Sequence, residues 1–251
     1  MFTADVQQVL DATIARHPYP LLFVTVSGAH LYGFASPDSD VDLRGVHLLP
    51  PRELLGLEEG PDTITEMLDE EVEVDLVTHD AAKFFRMLLQ RNGYVLEQLL
   101  SPIVLRSSPA HEELVALAPH CLTRFHAHHY LGFAANQWAL FAKESPPRVK
   151  PLLYTFRVLL TGIHLMRSGR VEANLRHLNA EARLPYVDEL IERKTSGSER
   201  GTLAAAELDF YRAEYDRLVA QLEAARDATE LPEQPSARAA LHDLLLRVRG
   251  I

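Results

Sequence analysis

Asp40 and Asp42 are separated only by Val41 and are preceded by the turn-rich stretch Ser27-Gly28-Ala29-His30-Leu31-Tyr32-Gly33. If the acidic pair lies on a strand, both carboxylates fall on one face, about 6–7 Å apart along the chain. Hard divalent cations take oxygen ligands, and Asp-x-Asp on rigid backbone supplies two of them. The apolar run Leu21-Leu22-Phe23-Val24-Thr25-Val26, immediately before the glycines, reads as a buried strand. Ser27, Gly28 and Gly33 then give a turn whose backbone can approach a ligand closely. The N–H groups of Ser27 and Gly28, with the Ser27 hydroxyl, are the candidate phosphate donors, aided by the start of a following helix. Strand, glycine turn and paired acids point to a phosphate held beside magnesium. Arg44, two residues past Asp42, suits either that phosphate or an ion pair with a nearby acid.

The turn together with Ser39-Asp40-Val41-Asp42-Leu43-Arg44-Gly45 resembles the nucleotidyltransferase superfamily that includes DNA polymerase beta, aminoglycoside nucleotidyltransferases and small antitoxins. Within it, the chain is most similar to an uncharacterised bacterial and phage branch of predicted nucleotidyltransferases. Lys83-Phe84 and Arg91-Asn92-Gly93-Tyr94-Val95-Leu96-Glu97-Gln98-Leu99 match further parts of that branch, so the likeness extends over most of the length. The resemblance implies a third carboxylate on a later strand. Glu73-Val74-Asp75-Leu76-Val77 offers Glu73 and Asp75, and the family's placement just before the Lys-Phe helix favours Asp75.

On this resemblance, Asp40, Asp42 and Asp75 are the catalytic and metal-holding residues, with Mg²⁺ or Mn²⁺ as the cofactor and an NTP as substrate. A nucleoside monophosphate would pass to a hydroxyl of a small molecule, a protein side chain or an RNA end, with release of pyrophosphate. Asp75 would take the proton of the attacking hydroxyl. One departure stands inside the turn: Ala29 replaces the serine of the branch, which removes a hydroxyl expected on the triphosphate. It keeps a second reading open, a catalytically impaired nucleotide-binding regulatory or antitoxin-like interaction module of the same fold.

The elements that must position these residues follow from periodicity. Val6, Leu10 and Ile14 predict a helix over residues 4–16, ended by His17-Pro18. Strands are expected at 21–26, 41–48 and 72–78, with an additional one at 62–66 and a short helix after the glycine turn. Asp80 caps a predicted helix over 80–91. Beyond residue 110 the patterns are helical: Pro119–Ala142, Val149–Arg167, Leu203–Arg226 and Ser236–Val248. The expected fold is α+β, a polymerase beta-like domain with a mixed sheet over 1–110 followed by an all-α domain over 111–251.

In the helical half, Lys150, Tyr154 and Arg157 share one helix face. Two cations there suit a triphosphate, and Tyr154 suits stacking on a base, so all three are nucleotide-binding candidates; the resembling branch also carries basic residues there. Asn174, Arg176, Arg193 and Lys194 are weaker candidates for acceptor recognition. The histidines at 120, 126, 128 and 129 lack a completing carboxylate or cysteine pair and read as helix residues rather than metal ligands. Phe133, Trp138 and Phe141 read as core.

Bulk properties narrow the field. No apolar run approaches the roughly 20 residues needed to cross a bilayer, the N-terminus lacks signal-peptide features, and the single cysteine, Cys121, excludes an intrachain disulfide framework. A cytoplasmic, non-membrane protein is expected. Residues 1–110 carry 7 Lys and Arg against 17 Asp and Glu, the whole of the −10 net charge. Non-specific DNA binding needs clustered basic charge, so the acidic half is not expected to grip DNA.

Overall fold

The computed structural model describes residues 2–69, 72–196 and 207–251. In chain order the elements are α1 (Ala4–Ala15), β1 (Leu21–Val26), α2 (Gly28–Tyr32), β2 (Val41–His47), α3 (Pro51–Leu55), β3 (Thr63–Asp69), β4 (Glu73–Asp80), α4 (Ala81–Leu88), α5 (Gly93–Leu99), β5 (Val104–Arg106) and α6 (Pro109–Leu117). A 3₁₀ turn at Ala118–Cys121 leads to α7 (His126–Lys143), α8 (Val149–Ser168), α9 (Leu175–Ala182), α10 (Pro185–Ser196), α11 (Leu208–Ala228) and α12 (Arg238–Val248). The α+β class is as the sequence predicts. Glu70, Glu71 and the beginning of the helix expected from Leu203 lie outside the described residues.

The chain packs into two compact units, one of Met1–Leu31, Asp40–Cys121 and Pro235–Ile251, the other of Tyr32–Ser39 and Leu122–Gln234. Packing therefore groups α6 and α12 with the sheet. It also assigns the eight residues between the glycine turn and Asp40 to the helical unit.

The first unit is built on a mixed sheet with strand order β3-β4-β2-β1-β5. β1 pairs antiparallel with β2 and β5, β3 pairs antiparallel with β4, and β4 runs parallel to β2. Every residue of β1 is buried, as its unbroken apolar run requires. Leu10 and Ile14 of α1 pack with Val24, Val26, Leu43 and Leu76. Phe23 meets the ring of Phe84 edge-on and stacks on His111. Thr3 caps α1 through its Oγ1, and Asp80 caps α4 by accepting from the Ala82 N–H.

In the helical unit, α8 is buried on nearly all sides and packs along α7 and α11. The single helix expected over 119–142 is instead interrupted between the 3₁₀ turn and α7. Thr123 donates its N–H to His126 Nδ1 at 3.1 Å, a side-chain partner that competes with the helical ladder. β5, α9 and α10 lie outside the sequence expectations, although the buried Tyr186, Val187, Leu190, Ile191 and Lys194 of α10 do follow helical spacing. Among the described residues no helix is long and apolar enough to cross a membrane.

The C-terminus is tied to the sheet by a buried ion pair. Arg249 Nη2 donates to both carboxylate oxygens of Asp80 at 2.7 and 2.8 Å, and its Nη1 donates to the Leu49 carbonyl. Both side chains are about 95% buried (5% and 4% exposed). Arg249→Ala leaves Asp80 buried without its cation and should cost about 3 kcal/mol in urea unfolding. A second expectation concerns pH. Burial lowers the pKa of His47, His79 and His111, and for His79, with Lys83 adding to the effect, it falls to about 4. The unfolded chain then binds protons that the folded one refuses, so stability should fall as pH drops from about 6.5 towards about 4. His79→Gln should flatten that slope in thermal melts taken across the window.

Candidate active site

The chemistry-bearing residues of the first unit meet at the ends of β1, β2 and β4. Parallel pairing of β2 with β4 sets Asp42 opposite Asp75. Both carboxylates bind one nitrogen: Arg44 Nη2 donates to Asp42 Oδ1 at 2.6 Å and to Asp75 Oδ2 at 3.0 Å. Arg44 Nη1 donates to the carbonyls of Leu43 and Asp75 at 2.8 and 2.7 Å, and Nε donates to the Tyr94 hydroxyl at 2.9 Å. All five guanidinium donors are thus engaged. Burial opposes the Arg44 charge, but Tyr94, Asp42 and Asp75 more than offset it, and its pKa is raised.

The glycine turn is joined to this cluster. Ser27 donates its N–H to the Asp42 carbonyl at 2.8 Å, and Gly28 follows with φ +61°. A Cβ on Gly28 would stand 1.8 Å from Asp42 Oδ2, so only glycine allows the carboxylate to lie against the turn. α5 locks the end of β1 from beneath. Thr25 Oγ1 donates to the Gln98 carbonyl at 2.7 Å, and Ser101 Oγ donates to the Val26 carbonyl at 2.6 Å. The Ser27 hydroxyl is fully buried with no hydrogen-bond partner.

Asp40 sits one residue before β2, partly exposed, and among the described residues it forms no hydrogen bond or ion pair. Glu73 is exposed at the start of β4, and it is Asp75 that shares Arg44 with Asp42. Two carboxylates against one guanidinium leave a formal excess of one negative charge. Among the described residues no three Asp, Glu, His or Cys side chains form a ready-made metal cage. Magnesium does not require one, since it is held by one or two carboxylates with substrate phosphates and water completing the shell. The oxygen-only donor set fits it.

Two sequence expectations change here. Arg44 has no donor left for a phosphate in this arrangement, and the Ser27 hydroxyl is sealed from any ligand. The Ser27 N–H is likewise taken, by the Asp42 carbonyl, so the turn can offer only backbone N–H groups from Gly28 onward. Within the helical unit, Lys150 is half-buried at the second position of α8. Tyr154 packs edge-on against Tyr32 and Phe34, at 5.7 and 5.4 Å between centroids. Arg157 is 2% exposed and lies 3.8 Å over the Tyr32 ring, a cation–π contact and not a solvent-facing phosphate ligand. Arg176 and Lys194 are likewise committed: Arg176 Nε donates to the Gly33 carbonyl, and Lys194 Nζ to Ser36 Oγ. Arg193 pairs with Glu207. Tyr94 was not singled out as a site residue, although it sits within the quoted Arg91–Leu99 segment.

Residues 2–247 match the family model of RlaP, described as the RNA repair pathway DNA polymerase beta family. The chain belongs to this family. Membership places it in the polymerase beta-like nucleotidyltransferase superfamily. An uncharacterised protein of Methanocaldococcus jannaschii is 37% identical over 158 residues, 61% of this chain; the chain covers 63% of that protein's length. The uncharacterised Bacillus subtilis YcgL is 24% identical over 217 residues, 82% of each chain. Among solved structures, a nucleotidyltransferase-like protein from Exiguobacterium sibiricum aligns over 97% of this chain and 78% of its own, with 14% identity and TM-score 0.35. Spectinomycin adenyltransferase AAD(9) from Enterococcus faecialis, solved with ATP and spectinomycin, aligns over 88% and 100%, with 13% identity and TM-score 0.46.

For this family member the Arg44 cluster sets a measurable stability. Arg44→Met leaves two carboxylates side by side and two carbonyls without donors, and should cost about 2–4 kcal/mol. Asp75→Asn in the same chain removes the like-charge repulsion and should recover part of that loss. Urea unfolding of the single and double variants measures the coupling.

Proposed function

We propose that this protein transfers a nucleoside monophosphate from an NTP to a hydroxyl at an RNA end and releases pyrophosphate. The observation that carries the reading is the in-register Asp42–Asp75 pair, held by one guanidinium nitrogen against the Gly28 turn. The RNA acceptor is supported by the description of the family, RNA repair. The acceptor oxygen attacks the α-phosphorus, the bond to the β-bridging oxygen breaks, and pyrophosphate carries the electron pair away. Asp75 takes the proton of the attacking hydroxyl. The backbone N–H groups from Gly28 onward, at the start of α2, orient the leaving phosphates. Magnesium bound by Asp40, Asp42 and Asp75 would supply neutralisation of the triphosphate charge.

Arg44 serves these residues as a fixed counter-ion. It keeps two adjacent carboxylates in place before substrate arrives, which lowers the reorganisation the reaction requires. Incubation of the protein with α-labelled NTPs, Mg²⁺ and an RNA oligonucleotide should move label to the RNA. Asp42→Asn and Asp75→Asn should each reduce transfer by about 100-fold or more. Label on a small-molecule or protein acceptor and none on RNA would move the acceptor class. NTP binding with no transfer to any acceptor would replace the reading with a nucleotide-binding module, the alternative that Ala29 favours.

A further inference from the structure

Between the Gly28 turn and Asp40 the chain passes through Tyr32–Ser39, and this connector packs within the helical unit. Three cations from three successive helices hold it. Arg157 of α8 lies over the Tyr32 ring, Arg176 of α9 donates to the Gly33 carbonyl at 2.7 Å, and Lys194 of α10 donates to Ser36 Oγ at 2.6 Å. Lys194 is the unusual one, at 1% exposed. A lysine rarely enters a core, because removing an ammonium from water is expensive unless a specific contact is made.

Its contact ends on a tight turn. The Ser36 and Ser39 hydroxyls lie 3.0 Å apart, Ser36 N–H donates to Ser39 Oγ, and Ser39 N–H donates to the Ser36 carbonyl. The next residue is Asp40, which has no hydrogen bond or ion pair of its own among the described residues. The place of that carboxylate is therefore set by the backbone on its two sides: β2 after it and the Ser36–Ser39 turn before it. β2 is fixed by the sheet. The turn is closed by its own Ser36–Ser39 bonds and joined to α10 by Lys194.

We propose that Lys194 is a positioning residue for the Asp40 carboxylate, acting through its hydrogen bond to Ser36 and the turn that ends at Ser39. The kinetic part of this proposal rests on the nucleotidyl-transfer reading; the mechanical part does not.

The test compares the full-length protein with Lys194→Met and with the double variant Lys194→Met/Ser36→Ala. The double variant removes both members of the Lys194–Ser36 bond while the Ser36 N–H keeps Ser39 Oγ as its acceptor, so it keeps the experiment valid if the single one fails to fold. Hydrogen exchange should quicken about tenfold or more across the amides of residues 33–41 other than proline, while β1 and β4 exchange as in the parent. At saturating NTP, kcat should fall about 10- to 100-fold while KM for the NTP moves less than about threefold, the signature of a misplaced group rather than lost binding. Unchanged exchange over 33–41 overturns the proposal, as does an unchanged kcat in a variant whose connector has loosened. If the parent protein transfers nothing, the functional reading has failed, and the exchange experiment still decides whether Lys194 pins the connector.

Discussion

The site depends on Arg44 making five hydrogen bonds at once. Its acceptors come from its own strand, from β4 and from α5, so a single side chain fixes the lateral spacing of β2 and β4 and the approach of Tyr94. Two carboxylates in register on neighbouring strands would repel each other, and a guanidinium between them turns that repulsion into cohesion. Lysine could not replace it, because a single ammonium has three donors and no planar fork to span two strands. Its two carboxylates still outnumber the one guanidinium, so the cluster is held together without being neutralised.

The glycine turn is the second half of the same constraint. Asp42 touches the turn twice, through its carbonyl to Ser27 and through Oδ2 against the Gly28 Cα, so turn and acid move as one piece. This explains why the serine hydroxyls matter less here than the motif suggests. Ser27 turns its hydroxyl into the interior, and position 29 has none. What the turn leaves open is backbone N–H groups after Gly28, whose positive φ lets the chain turn against Asp42.

The sheet half was legible because its signals are local. β1 is an unbroken apolar run, the acid pair alternates with Val41 and Leu43, and Asp80 announces α4. Asp75 is favoured over Glu73 only through the family resemblance, and its register opposite Asp42 is a feature of the sheet that no local signal announces. What could not be read were contacts closed over long separations: Arg44 to Tyr94 across 50 residues, Arg249 to Asp80 across 169, and Lys194 to Ser36 across 158. A cation in a sequence does not state whether it will face solvent or a buried acceptor. That is why Arg157 and Lys194 looked like ligand-facing candidates and are instead interior fasteners. Periodicity also overran the break before α7, since apolar spacing continues through residues whose backbone N–H groups find side-chain partners.

Two cations with buried side chains join a short irregular segment to a regular element: Arg249 ties the C-terminal residues to the start of α4, and Lys194 ties the Ser36–Ser39 turn to α10. Irregular segments have few ladder hydrogen bonds of their own, so a charged donor with several N–H groups is an efficient way to fix them. The cost is that the charge must stay paired, and this links the order of the segment to the integrity of the helix that supplies it. A fragment ending at Cys121 would lose Arg249 from beside Asp80 and every cation that holds the connector before Asp40. The catalytic half of such a chain would be complete in motif and loose in geometry.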